Sequence, residues 1–136
     1  MIRVIFGEKG AGNTKRILDM ANETLNNATG SIVFIDSDNQ YMFDVKHSIR
    51  FINASEYEID GPKMFFGFLN GIAAQDFDLE YLFIDSFLKI VHHPLDTLEG
   101  LFEHLASFSD RCNIKLVISI SGNPGAIPEF IKPYII

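Results

Sequence analysis

A chain of 136 residues that is 47% hydrophobic and 21% charged has enough apolar sequence for one buried core and too little net polarity to stay disordered. Its formal net charge of −7 argues against the clustered basic surface with which proteins grip nucleic acid, although a loop of backbone N–H groups still offers a phosphate a local positive field. The one cysteine, Cys112, permits no internal disulfide, and no apolar run approaches the ~20 residues that cross a bilayer.

The N-terminal run Ile2-Arg3-Val4-Ile5-Phe6 reads as a short strand ended by Gly7. It is too short and too quickly interrupted for a signal peptide, so a cytoplasmic location is expected. From Thr14 to Asn26, Ile17, Leu18, Ala21 and Leu25 share one helical face, and Gly30 is suited to a left-handed cap after it. Ser31 to Ile35 is nearly all apolar, as expected of a parallel strand covered on both faces. Tyr41-Met42-Phe43 fits either an edge strand or a buried loop, and Ile49 to Ile52 fits another short strand. Asp60-Gly61-Pro62 predicts a helix start, followed by Phe65, Phe68, Leu69 and Ile72 at i, i+3, i+4 and i+7. Tyr81 to Ile84 is a second buried strand ending in Asp85. Pro94 to Asp110 predicts a long helix with Leu95, Leu98, Leu101, Phe102, Leu105 and Phe108 in one stripe. Leu116 to Ile120 predicts the last central strand, and the tail from Pro128 predicts a helical turn and a short strand at Tyr134 to Ile136. Strands alternating with helices predict one three-layer α/β domain over 1–136, with a mainly parallel sheet of about five strands.

The segment richest in chemistry is Gly7-Glu8-Lys9-Gly10-Ala11-Gly12-Asn13-Thr14, between a strand and a helix. Glycines let the backbone turn tightly and approach a ligand, and the N–H groups of the loop and helix start present partial positive charge to an anion. An isolated glycine pattern more often marks a simple turn. Here a following threonine and an aspartate-terminated partner strand favour a phosphate loop.

The segment resembles the Walker A motif of P-loop NTPases, G-x-x-x-x-G-K-S/T: Gly7, Gly12 and Thr14 match, and Asn13 stands where the family has lysine. Tyr81-Leu82-Phe83-Ile84-Asp85 looks like Walker B. The resemblance is to the RecA-like branch, and to short bacterial proteins loosely labelled as relatives of twitching-motility ATPases. It implies ATP binding with Mg²⁺: Gly7, Lys9, Gly10, Ala11, Gly12, Asn13, Thr14 and Lys15 around phosphate, and Thr14 with Asp85 at the metal. Ser121, ending the strand after Walker B, is in the place of a polar sensor. Asp36, ending the second strand, polarises a water if it faces the crevice; otherwise it is an ordinary strand-end residue. These two are the catalytic candidates.

Two departures point away from rapid turnover. Asparagine offers a neutral amide where lysine offers a full charge, a loss of about 1.5–3 kcal/mol for one charge-assisted hydrogen bond. The residue after Asp85 is Ser86, where many RecA-like enzymes carry a catalytic glutamate. Lys9 within the loop is a candidate substitute, whereas Lys15 is turned about 100° from the site. His92-His93 and His104 lack the companions of a metal centre, and no Gly-x-Ser-x-Gly elbow occurs. Met64 to Leu69 is apolar on more than one helix face, which fits burial or, less commonly, self-association. The expected function is thus nucleoside-triphosphate binding with weak or absent hydrolysis. The alternative is a nucleotide-inactive interaction module, and a homo-oligomer or protein partner is compatible with either.

Overall fold

The β-rich runs form five strands in the computed structural model, which describes residues 1–136. They are β1 (Ile2–Gly7), β2 (Ser31–Asp36), β3 (Arg50–Asn53), β4 (Leu79–Ile84) and β5 (Lys115–Ser121). Every pairing is parallel, in the order β1-β5-β4-β2-β3. Four helices accompany them: α1 (Asn13–Thr24), α2 (Pro62–Gln75), α3 (Phe87–Val91) and α4 (Glu99–Cys112). This is the three-layer α/β sheet that the alternating pattern predicts.

Alternation along the strands divides the core in two, because successive side chains point to opposite faces. Ile5, Ile32, Phe34, Phe83 and Val117 pack with Ile17, Leu18 and Ala21 of α1. Val4, Ile35, Leu82, Ile84, Leu116 and Ile118 pack on the other side with Phe65 and Leu69 of α2, Phe87 of α3, and Phe102, Leu105 and Phe108 of α4. Phenylalanines knit the second layer: the Phe65 and Phe87 rings meet edge to face at 5.5 Å, and Phe87 meets Phe102 at 5.6 Å.

Four local expectations are corrected. Gly30 has no positive φ and so is not a left-handed cap; a Cβ there would run into the Asp78 carbonyl oxygen, so close backbone approach is what requires the glycine. Residues 41–43 are neither strand nor buried loop. Met42–Asp44 is a 3₁₀ turn, and Phe43 is 92% exposed. The helix predicted from Pro94 breaks into a 3₁₀ turn, Leu95–Thr97, and α4. There the Thr97 hydroxyl donates to the Pro94 carbonyl at 2.6 Å, a local side-chain bond of the kind that competes with a continuous helix. The tail makes 3₁₀ turns and a single parallel bridge, Val4 to Ile135, instead of a final strand.

Phe65 is fully buried, so Phe65→Ala is expected to cost about 3–5 kcal/mol of folding stability. Urea denaturation checks this, with the exposed Phe77 mutated to Ser as a control expected to stay within about 0.5 kcal/mol.

Candidate functional site

The site begins with β1 turning sharply into α1. Gly10 and Gly12 take positive φ, 86° and 89°, which L side chains resist. Ala11 N–H closes the turn onto the Glu8 carbonyl at 3.0 Å. Gly12 is the N-cap of α1, with no side-chain cap and no acid in the first turn. The N–H groups of that first turn therefore keep the open, partly positive end that a helix start presents.

Asn13 does not reach outward. Its side-chain amide turns back and donates to the Gly7 carbonyl at 3.1 Å. Gly122, after β5, donates to the same carbonyl at 3.0 Å. A Cβ on Gly7 would lie 2.7 Å from Asn13 Oδ1, so Gly7 makes room for this folded-back side chain. The loop is thus clasped by the residue that replaces the motif lysine.

Thr14, one step on, reaches across the sheet edge. Its hydroxyl donates to Asp85 Oδ2 at 2.9 Å. Asp85 follows β4 and is 2% exposed; its other oxygen accepts the Ser86 N–H at 2.9 Å. Ser86 itself sits at φ 56°, a left-handed conformation that costs a non-glycine residue on the order of 1 kcal/mol or more. Asp36, at the end of β2, is also 2% exposed. Burial pushes its carboxyl up from 3.8 to about 6, against the Ser37 N–H bond at 2.7 Å, with the Asp85 and Asp38 charges adding to the rise.

These groups share one cleft of about 830 Å³, whose walls include Lys9, Gly10, Gly12, Asn13, Thr14 and Lys15 from the loop and helix. Asp36, Asp85 and Ser121 line it too. Gly7 and Ala11 are not on its wall: Gly7 shapes the loop from behind. Lys15 is on the rim with its ammonium held by Asp19 at 2.7 Å, one turn along the helix. Ser86, Asp38, Tyr41 and Lys89 also line it; of these, Asp38 and Lys89 stand in no motif that the sequence offers. The only sequence signal for Lys89 is its closeness to Asp85, and nothing in the sequence shows that Phe87–Val91 forms a helix returning to the cleft. Five aspartates against three lysines make the cleft acidic, so an anion there needs cations of its own beside the backbone N–H groups. No group of three or more acidic, histidine or cysteine side chains is gathered around one point. The hydroxyl–carboxylate pair of Thr14 and Asp85 suits an ion that keeps several waters and takes its remaining ligands from phosphate, as Mg²⁺ does.

The sheet order places β5 between the glycine-loop strand and the aspartate strand. Among solved structures, the chain is similar to the flagellar accessory protein FlaH of Methanocaldococcus jannaschii, with a TM-score of 0.54 and 14% identity over 97% of this chain. The likeness is one of fold. The chain spans 65% of the FlaH chain's length. No protein-family model matches the chain, and no curated protein matches it.

Asp36 generates a pH prediction. An acid whose folded pKa lies above its unfolded value imposes no cost below about pH 4; the cost grows as pH rises toward 6 and is full above it. Asp36→Asn is therefore expected to be more stable than the native chain near pH 7, by on the order of 2 kcal/mol. The difference should vanish near pH 4 in urea melts at the two pH values.

Proposed function

We propose that this chain is a P-loop protein of the RecA-like kind that binds a nucleoside triphosphate, ATP before GTP, together with Mg²⁺, and hydrolyses it slowly or not at all. The observation that carries the reading is the Thr14–Asp85 contact of 2.9 Å beside an uncapped helix start. It joins a hydroxyl and a carboxylate at the one edge where the loop could hold phosphate.

In this reading the N–H groups of Gly10, Gly12, Asn13 and Thr14 surround the phosphates, and Thr14 and Asp85 hold Mg²⁺, Asp85 through water. The ion, when bound, neutralises phosphate charge. Lys9 and Lys89, which line the cleft, supply the positive charge that Asn13 lacks. Asp36 faces the cleft as the candidate for orienting water, and Ser121 is positioned as a polar contact from β5. Slow turnover follows from Asn13. Its amide is committed to Gly7, and a neutral group contributes little where negative charge is redistributed during phosphoryl transfer. The same commitment favours the second reading, a P-loop fold kept as a nucleotide-inactive interaction module.

Calorimetric titration with ATP and GTP, with and without Mg²⁺, separates the two. Native binding is expected in the sub-millimolar range and should lose its Mg²⁺ dependence in Asp85→Asn. Asn13→Lys is expected to tighten it about 10- to 100-fold, one charge-assisted hydrogen bond's worth. Absence of binding in both the native chain and Asn13→Lys would falsify the proposal; binding by Asn13→Lys alone would identify the native chain as the inactive module.

Double substitution of Lys9 and Lys89 by alanine is expected to weaken ATP binding by about tenfold or more while leaving the thermal melt unchanged.

A further inference from the structure

We infer that the outer face of α2 is a self-docking surface on which two copies of this chain pack with their α2 helices antiparallel. The helix carries Phe65 and Leu69 into the core, and Phe66 meets Phe108 and His104 of α4. The opposite side is open. Lys63, Met64, Gly67, Gly71, Ala74 and Gln75 are all exposed, and at about 100° per residue they fall within one arc of roughly 120°.

From Met64 to Gln75 the helix has no charged residue, which is unusual for the solvent side of a surface helix. Met64 is 51% exposed, and Tyr57, whose ring lies 5.4 Å from that of Phe68, flanks the face at 50% exposure. Gly67 and Gly71 sit mid-helix, where glycine is disfavoured. A Cβ at either would meet nothing within 4 Å, so packing within one copy gives no reason for them, whereas a second helix approaching closely does.

Charge selects the occupant and its direction. Each copy has a net charge of −7, so two copies repel except where charge is absent or complementary. Lys63 opens the helix, forms no ion pair within the chain, and is the one cation at an end that also holds Asp60. Asp76 and Asp78 follow the helix at its other end. With Gly67 set against Gly71 of the second copy, Met64 falls opposite Ala74 and Lys63 opposite Gln75, beside the turn that carries Asp76 and the exposed Asp78. The pairing is self-complementary, as a two-fold interface must be. The inference extends the oligomer option and does not rest on nucleotide binding, since α1 and the glycine loop lie on the other side of the sheet from α2.

Sedimentation velocity over a concentration series of the full chain tests it. The native chain is expected to dimerise. Gly71→Glu, which adds like charges where the helices cross, should leave a monomer with an unchanged circular dichroism spectrum. Lys63→Glu should weaken the dimer by about tenfold or more, and Lys63→Glu combined with Asp78→Lys should restore it. A native chain that is monomeric at every concentration overturns the inference. So does a dimer indifferent to Gly71→Glu, which would use another surface, or one indifferent to Lys63→Glu, which would not be antiparallel in this register. Unaltered nucleotide titration of Gly71→Glu keeps this result separate from the fate of the phosphate site.

Discussion

All five strands run the same way, and that single constraint brings the chemistry together. Parallel strands put their carboxyl ends along one edge, and the crossover connections return each helix to start from that edge. Gly7, Asp36, Asp85 and Ser121 are far apart in sequence, yet each ends or follows a strand of the sheet. Hydrophobic register then fixes their heights: Ile35 pairs with Ile84, and Gly7 with Ser121. A one-residue slip in any strand would exchange the side chains it presents to the two helical layers and move its terminal polar group away from the cleft.

Two carboxylates at the buried ends of neighbouring strands are not what stability alone would choose. Asp36 is held above its ordinary range by burial, and Ser86 adopts a strained backbone beside Asp85. Such costs gather where side chains are arranged for a ligand. The apolar layers below, with α1 on one side of the sheet and α2, α3 and α4 on the other, are what keep these groups at the rim in place.

Much of this was legible in the sequence because hydrophobic periodicity is a local signal. The runs 2–6, 31–35, 81–84 and 116–120 each became a strand, and the stripe Leu101, Phe102, Leu105, Phe108 became the buried face of α4, with Leu98 buried just before it. The candidate residues Asp36, Asp85 and Ser121 were legible as polar groups ending apolar runs. What was not legible depends on tertiary contact or on competition between local bonds. Gly30 answers to the carbonyl of Asp78, about fifty residues away in sequence. The break at Leu95–Thr97 goes with bonds from both the N–H and the hydroxyl of Thr97 to the Pro94 carbonyl. Lys89 and Tyr41 reach the cleft only because short, aperiodic segments fold back over it. The direction of the Asn13 side chain is a rotamer choice, on which residue type is silent.

That rotamer has an evolutionary consequence. Because Asn13 Oδ1 occupies the space a Cβ on Gly7 would need, and Asn13 Nδ2 bonds the Gly7 carbonyl, the two positions are coupled. Any side chain at Gly7 displaces the asparagine, and any longer residue at 13 that turns outward leaves the Gly7 carbonyl with Gly122 alone. Effects at neighbouring positions of this kind are not additive. Related sequences that preserve this clasp should therefore keep glycine and asparagine as a pair, and those that lose one should be released from the requirement for the other.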